Sequence, residues 1–302
     1  MYFRVKQMII NSCPICNSSE LEKTPTTISD FVVDRISYSG NNSINLCKCK
    51  KCNMCFYDYR FSAEEETRLY NGYRGKEYQK TREKYECYYT SKVNEALNSD
   101  VLALEEQKHC IANILSSNGY TSFESALDYG GNEGATFFYE LGTEAKYVYD
   151  ISGIQTKPGI KGISTIDELY KHEYDFIMCN MTLEHCTNPQ EIMRILKEIG
   201  KKSTIYYIEV PYEPPFSRNK FSIKKNFKLL FNPIYSKFRL VKHYCYCKKR
   251  SFMPMHEHIN FFTEESIRYL CESNEFTVID IKITTENGVL GTNDVLSILF
   301  KK

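Results

Sequence analysis

Apolar and polar positions alternate in short blocks from about residue 122 onward. Four apolar runs of strand length follow one another, at residues 126–129, 146–149, 174–179 and 204–210. Residues 189–199 carry isoleucine or leucine at every third or fourth position, which is typical of an amphipathic helix, and we predict a further helix over residues 135–141. Strands that alternate with helices indicate βαβ units, so the pattern predicts an α/β fold with a doubly wound, Rossmann-like sheet.

The first of these strands leads into a glycine-rich turn. Asp128 lies near the end of the strand, and Gly130, Gly131 and Gly134 follow it. In open parallel sheets the ligand binds outside the carboxyl ends of the strands, and glycines allow the backbone to approach it closely. Asp150 ends the next strand, where a carboxylate can accept hydrogen bonds from two ribose hydroxyls. The turn departs from the G-x-G-x-x-G phosphate loop, so a dinucleotide is disfavoured.

Paired cysteines mark the N-terminal part of the chain. Cys13 and Cys16 form one C-x-x-C pair, and Cys49 and Cys52 form a second. Four thiolates from two such turns make the tetrahedral set that zinc prefers, and a site with four protein ligands has a structural role. Cys52 also forms a C-x-x-C pair with Cys55. We favour Cys49 as the partner of Cys52, because Cys55 fits a small apolar residue of a following strand.

The sequence divides into three parts, namely a zinc-binding domain at 1–62, a helical linker and cofactor-side cover at 63–118, and the Rossmann-like domain at 119–302. In the first part we expect short strands, one of them at residues 31–33. In the second, apolar periodicity predicts one helix over residues 93–115. Six tyrosines between residues 70 and 89 either line a cleft over a ligand or pack within the linker, and packing is the simpler interpretation.

Composition excludes some protein classes and isolates one segment. The chain has 302 residues, of which 42% are hydrophobic, and 39 basic residues balance 38 acidic ones, so global disorder is excluded. No apolar run approaches the roughly 20 residues that span a bilayer, and no signal peptide is evident, so we expect a cytoplasmic protein. Residues 217–250 contain eleven Lys or Arg and no Asp or Glu. We interpret this basic insertion as a lid that helps to bind an anionic acceptor.

Four segments carry a resemblance to known proteins, namely LDYGGNEG at 127–134, DIS at 150–152, LEH at 183–185 and HEHINFF at 256–262. The first three resemble motifs of class I S-adenosylmethionine-dependent methyltransferases. The fourth, together with the four cysteines, resembles a narrower group, the zinc-containing sugar C-methyltransferases. Together these features extend from Cys13 to about Asp280.

The resemblance implies roles for individual residues. The three glycines would shape the cofactor loop, and Asp150 would bind the ribose of S-adenosylmethionine. Glu257 and His258 would lie near the substrate, with His258 as the candidate base, and His185 would lie on the cofactor side. The residue pattern around this motif also predicts an extended segment, in which His256 and His258 share one face and Glu257 points to the other.

Three features depart from the family pattern. Asn132 replaces the usual middle glycine, Met255 stands where a tyrosine is common, and the chain ends at Lys302 without the C-terminal domain of the C-methyltransferases. Oxygen or nitrogen methylation is therefore as plausible as carbon methylation. We predict a methyltransferase that uses S-adenosylmethionine, contains zinc and modifies a sugar, a nucleotide-sugar or a related small molecule, for example in surface-glycan biosynthesis. The alternatives are an RNA-modifying methyltransferase and a non-catalytic zinc-containing binding module.

Overall fold

The computed structural model describes residues 9–138, 141–151, 155–213, 253–288 and 291–302. The chain divides into two compact units. Among the described residues, one unit contains most of residues 9–99 together with residues 253–260, and the other contains residues 100–213 and 261–302, with residues 14–16 grouped with the second. The basic insertion at residues 217–250 lies outside the described residues.

The first unit combines a small four-stranded sheet with short helices. Strands β1, β2, β3 and β9 are hydrogen-bonded in that order, with bounds Leu21–Thr27, Ser43–Cys49, Cys55–Tyr57 and Asn260–Phe261. Four helices, α1 to α4, span Asp30–Ile36, Ala63–Tyr70, Lys76–Tyr85 and Ser91–Asn98. The expected strand at residues 31–33 is wrong, because these residues lie in α1. The hydroxyl of Ser29 accepts a hydrogen bond from the Val32 amide and caps this helix.

The predicted single helix over residues 93–115 is also wrong. Helix α4 ends at Asn98, and α5 (Val101–Ser117) begins after a break. The side chain of Asp100 accepts a hydrogen bond from the Ala103 amide and so caps α5. An Asp competes well for backbone amides outside a helix, which is why the break falls here although the apolar periodicity continues.

The second unit is built on a seven-stranded sheet in the order β10-β11-β8-β7-β4-β5-β6. The strands are β4 to β8 at Phe123–Tyr129, Thr143–Tyr149, Lys161–Ile163, Tyr174–Asn180 and Gly200–Pro211, then β10 and β11 at Thr277–Gly288 and Gly291–Lys301. Strands β4 to β8 pair in parallel, whereas β11 is antiparallel to both β8 and β10. The predicted doubly wound sheet is confirmed.

Helices α6 (Ile166–Leu169), α7 (Pro189–Ile199) and α8 (Glu264–Ser273) complete the second unit. The predicted helix at residues 189–199 is confirmed, and the Asn188 side chain caps it by accepting a hydrogen bond from the Glu191 amide. The helix predicted at residues 135–141 is not found in the described part of that range, since residues 135–138 are turn and irregular backbone.

Helix α5 packs its apolar side chains against one face of the sheet. Ile111, Ile114 and Leu115 form a buried cluster with apolar residues of β4, β7 and β8, among them Ala126 and Met178. Side chains of a strand alternate between faces, so every second residue of these strands faces α5. Within the described ranges, none of the helices is long and apolar enough to cross a bilayer.

Candidate active site

The glycine-rich turn lies at the carboxyl end of β4, the central strand of the parallel part of the sheet. Gly130 and Gly134 have φ angles of +79° and +81°, which side chains rarely adopt. A Cβ atom at Gly130 would lie 2.4 Å from the Thr182 hydroxyl oxygen, and one at Gly131 would lie 2.3 Å from the carboxyl carbon of Asp128. The loop therefore passes directly over the strand ends, and only glycine fits at these two positions.

Asn132 occupies the middle position of this loop, where the family pattern has a glycine. Asn132 has a φ of 53°, in the left-handed region that asparagine tolerates better than most residues. Its backbone N–H donates a hydrogen bond of 2.9 Å to Oδ2 of Asp150, which directly follows β5. An asparagine can therefore replace glycine here, and the Asp150 carboxylate ties the loop to the neighbouring strand.

Asp128 is fully buried beneath the loop. The hydroxyl of Thr136 donates a hydrogen bond to its carboxylate. Burial raises the pKa of Asp128 to about 7, although the bond from Thr136 lowers it, and the negative charges of Asp150 and Glu209 raise it further. Asp128 is thus poised between its neutral and charged forms near neutral pH.

Further polar side chains lie at the ends of the neighbouring strands. Asn180 ends β7, and Glu209, near the end of β8, is completely buried. Glu209 accepts hydrogen bonds from Gln107 at 2.6 Å and from Tyr207 at 2.5 Å, while burial raises its pKa. The sequence interpretation did not include Asn180, Glu209 or Thr136. A polar residue closing an otherwise apolar strand was the signal that could have identified the first two.

The LEH segment follows β7 directly. Glu184 is buried, and its Oε1 lies 3.8 Å from Nε2 of His185. The backbone N–H of His185 donates to the carbonyl of Thr182, so the histidine sits on a tight turn at the carboxyl edge of the sheet. His185 thus lies at the carboxyl edge of the sheet in the second unit, and its position on the cofactor side and its role stay predictions.

The His-Glu-His segment belongs to the first unit. The Glu257 carboxylate accepts a hydrogen bond of 2.6 Å from the Tyr78 hydroxyl and lies 3.4 Å from Arg82. It also lies 3.4 Å from Nδ1 of His256, so the expectation that these two side chains point to opposite faces is wrong. The chain bends at Glu257 and forms no continuous strand from residue 256 to residue 262. This bend brings neighbouring side chains together.

His256 is held between two carboxylates. Its Nε2 lies 2.5 Å from Oε1 of Glu86, and its ring stacks on Phe31 with centroids 5.0 Å apart. Burial would lower the pKa of His256, but the charge of Glu86 and the hydrogen bonds to Glu86 and Glu257 together outweigh burial and raise it. Burial would raise the pKa of Glu86, but His256 and Arg82 lower it to about 2. Both ring nitrogens face carboxylates, which favour the protonated form of His256, so this residue is less suited to the role of base.

The tyrosines of the predicted linker surround this ion network. Tyr78 packs edge-on against Phe31, Tyr73 and Tyr89, and Arg82 lies 4.0 Å from the centre of the Tyr89 ring. Buried aromatic rings and a cation over a ring face stabilise such a cluster. These contacts favour packing over the alternative of a tyrosine-lined cleft.

The four predicted metal ligands lie together. The sulfur atoms of Cys13, Cys16, Cys49 and Cys52 are all within 4.8 Å of one another, and those of Cys13 and Cys52 are 3.6 Å apart. Sulfurs around a tetrahedral zinc, with Zn–S bonds of about 2.3 Å, are separated by roughly 3.8 Å. Cys55 lies in β3, outside this cluster, and burial raises the pKa of its thiol to about 12. The donor set therefore fits zinc.

Each C-x-x-C pair closes with an asparagine in the left-handed conformation. Asn17 has a φ of 55° and donates its N–H to the Cys13 carbonyl, and Asn53 has a φ of 58° and donates to the Cys49 carbonyl. These two equivalent turns fold the cysteines of each pair toward one point. Cys16 is placed by the first turn itself, since it lies between the two ends of that turn.

Comparison with known proteins identifies the family. The methyltransferase domain family matches residues 83–281, about two thirds of the chain. This chain belongs to that family, and the enzyme class is S-adenosylmethionine-dependent methyltransferase. No curated protein gave a significant match.

Several solved structures are similar at low sequence identity. A methyltransferase from Anabaena variabilis is 12% identical, with 72% of this chain and 93% of that chain covered and a TM-score of 0.41. The magnesium protoporphyrin IX methyltransferase from Synechocystis is 12% identical, with coverages of 68% and 86% and a TM-score of 0.39. A methyltransferase from Methanosarcina mazei is 16% identical, with coverages of 63% and 96% and a TM-score of 0.40.

Proposed function

We propose that this enzyme transfers the methyl group of S-adenosylmethionine to a sugar, a nucleotide-sugar or a related small molecule. The observation that carries the proposal is the loop of Gly130 and Gly131, which packs over Asp128 and is tied to Asp150. The family match supports the donor. The resemblance of the cysteine pairs and the His-Glu-His segment to sugar C-methyltransferases supports the acceptor class.

Different residues of the donor site would contact different parts of the donor. The backbone of the Gly130–Gly134 loop would approach the donor closely, since no side chain fits at Gly130 or Gly131. The carboxylate of Asp150 would accept hydrogen bonds from the ribose, and its contact with the Asn132 amide would orient it. When bound, the donor supplies an activated methyl group on a sulfonium, so the protein mainly needs to position the acceptor and remove a proton.

The acceptor proton would pass to His258. A histidine base has a pKa near neutral pH, and His256 is already engaged by Glu86 and Glu257. Glu257 would then act as a positioning residue, because Tyr78 and Arg82 hold its carboxylate beside the bend that carries His258. His185 would form part of the wall on the donor side.

We further propose that Cys13, Cys16, Cys49 and Cys52 hold one zinc ion. The close approach of the four sulfurs supports this assignment, and the C-x-x-C spacing of both pairs supports it independently. With four protein ligands the ion would have no open position, so its role would be to fix the fold of the first unit.

Two experiments test the proposed function. Calorimetric titration with S-adenosylhomocysteine should show binding of one equivalent, and absence of binding would contradict the enzyme assignment and favour a binding module. A screen with methyl-labelled donor should then show label transfer to a nucleotide-sugar or another sugar derivative, and not to RNA. Label found in RNA, with an affinity that falls steeply with ionic strength, would overturn the acceptor class.

A further inference from the structure

Arg74 combines a partly buried positive charge with a strained backbone. It lies in the turn between α2 and α3, and its φ of 54° falls in the left-handed region that long side chains rarely adopt. The side-chain amides of Asn94 and Asn98 donate hydrogen bonds of 2.8 and 3.2 Å to its carbonyl oxygen. The Tyr89 hydroxyl in turn donates to Asn94 and orients it. Strain that several groups maintain in this way is typical of functional positions.

The guanidinium of Arg74 has no carboxylate partner in the described part of the chain. Its Nη1 donates a hydrogen bond of 3.3 Å to the Leu97 carbonyl, and the group lies 5.1 Å from the centre of the Tyr73 ring. Its Nε is buried and has no hydrogen-bond partner among the described residues. The neighbouring Arg82, by contrast, forms two ion pairs. A buried donor left unpaired is costly, so Arg74 is suited to bind a partner from outside the protein.

The two longest segments outside the described ranges cannot supply a carboxylate to Arg74. Residues 1–8 and 214–252 contain no Asp or Glu. Arg74 is partly exposed, so an anion from solution can reach its guanidinium. Arginine presents its donors in a rigid plane that matches two oxygens of a phosphate or a carboxylate. The chemistry of the side chain therefore favours an anionic ligand.

A chain of contacts connects Arg74 to the residues that the proposed function places beside the acceptor. The Tyr73 ring packs edge-on against Tyr78, with centroids 5.2 Å apart, and the Tyr78 hydroxyl donates a hydrogen bond of 2.6 Å to Glu257. Burial would lower the pKa of Arg74, but its tyrosine neighbours and Glu257 raise it. Arg74 therefore belongs to the same cluster of the first unit as Glu257.

We propose that Arg74 binds the phosphate or carboxylate group of an anionic acceptor. This inference rests on the proposed function, and it adds a residue that selects acceptors by their charge. The buried Nε and the terminal nitrogen on the same side of the guanidinium would donate to two oxygens of the anion. The clamp of Asn94 and Asn98 on the Arg74 carbonyl would fix the direction of these donors.

Three probes separate the possible sources of the anionic group, with binding measured by calorimetry. Inorganic pyrophosphate represents a nucleoside diphosphate, glucuronate represents a sugar acid, and methyl glucoside is the neutral reference. Wild type should bind pyrophosphate or glucuronate more tightly than methyl glucoside. Arg74→Gln should bind the preferred anion about tenfold or more weakly, because charge-assisted hydrogen bonds are lost. Arg74→Lys keeps the charge but not the planar donors, and its affinity should lie in between.

Matched controls distinguish a binding role from a structural one. Arg68→Gln removes an exposed arginine of α2 and should leave the affinity for the anion unchanged. The affinity of Arg74→Gln for S-adenosylhomocysteine should equal that of wild type. Arg74→Gly should also lose anion binding and should melt no lower than Arg74→Gln, because glycine adopts a positive φ without strain.

Three results would overturn the inference. Equal affinity of wild type and Arg74→Gln for the anion would assign anion binding elsewhere, with the basic insertion at residues 217–250 as the competing site. Equally weakened binding of S-adenosylhomocysteine would show that Arg74 supports the fold or the donor. Wild type that binds S-adenosylhomocysteine but neither anion would overturn this inference and leave the proposed function intact. Anion binding without S-adenosylhomocysteine binding would instead contradict the proposed function, and with it the acceptor as the ligand of Arg74.

Discussion

The backbone amide of Asn132 donates a hydrogen bond of 2.9 Å to the carboxylate of Asp150, and so links the glycine loop to the strand beside it. Asp150 thus serves two purposes in the proposed site. It holds the loop, and under the proposed function its carboxylate would also accept hydrogen bonds from the ribose.

Asp150→Ala should weaken the binding of S-adenosylhomocysteine by about tenfold or more. Hydrogen bonds to a charged group contribute about 1.5–3 kcal/mol each, and the loop would also lose its tie. Glu144→Ala is the matched control, since it removes an exposed carboxylate at the other end of the same strand, and calorimetry should find its affinity unchanged. Equal affinity of the wild type and Asp150→Ala for S-adenosylhomocysteine would show that Asp150 does not contribute to donor binding.

Gly131→Ala should destabilise the second unit by about 1–3 kcal/mol and weaken donor binding. The new methyl group would lie 2.3 Å from a buried carboxylate carbon, so either the loop or Asp128 must move. Gly162→Ala provides the control, because its new methyl group would meet only the Thr156 side chain, at 3.3 Å. Thermal melting of the wild type and the two variants checks this. Similar melting temperatures of the two variants would show that the loop accommodates a methyl group at position 131.

Purified protein should contain one zinc per chain, measured by elemental analysis. Cys49→Ser should lose the metal and unfold the first 60 residues, because one of four thiolates is gone. Cys55→Ser should keep the metal, because Cys55 lies in β3 and outside the sulfur cluster. Loss of zinc from Cys55→Ser, with retention in Cys49→Ser, would show that Cys55 and not Cys49 binds the metal together with Cys52.

The pKa of His256 should lie above its ordinary value of 6.5 and should fall in Glu86→Gln. A histidine whose pKa is raised on folding contributes stability that is complete below pH 6.5 and is lost as the pH rises through the folded-state value. Glu86 contributes in the opposite sense, since its stabilisation is present above pH 4.5 and is lost as the pH falls toward about 2.

An NMR titration of the His256 ring protons in both proteins checks this. An unchanged His256 titration in the variant would show that the contact with Glu86 does not form in solution.

His258→Ala should lower turnover by about 10²–10⁴-fold, the usual contribution of a general base, while the affinity for S-adenosylhomocysteine stays nearly constant. His258→Gln separates proton transfer from positioning, because glutamine keeps a hydrogen-bonding group of similar reach but cannot take the proton. His109→Gln changes an exposed histidine of α5 and should leave turnover unchanged. Near-normal turnover of His258→Gln would rule out the base assignment.

Local sequence determined those features that depend on short-range physical chemistry. The alternation of apolar runs with an amphipathic helix predicted the parallel sheet, because burial on both faces requires continuous apolar strands. The C-x-x-C spacing predicted the sulfur cluster, because each turn fixes its own pair of sulfurs. The position of Asp150 followed in the same way from the end of its strand.

Only the tertiary structure shows which residues far apart in the sequence are in contact. Two local signals were missed, since Ser29 caps α1 where a strand was expected and Asp100 caps α5 where a continuous helix was expected. The pairing of His256 with Glu86 joins residues 170 positions apart, which no local pattern encodes. Asn180 and Asp128 lie at the same edge of the sheet only because β7 pairs in parallel with β4.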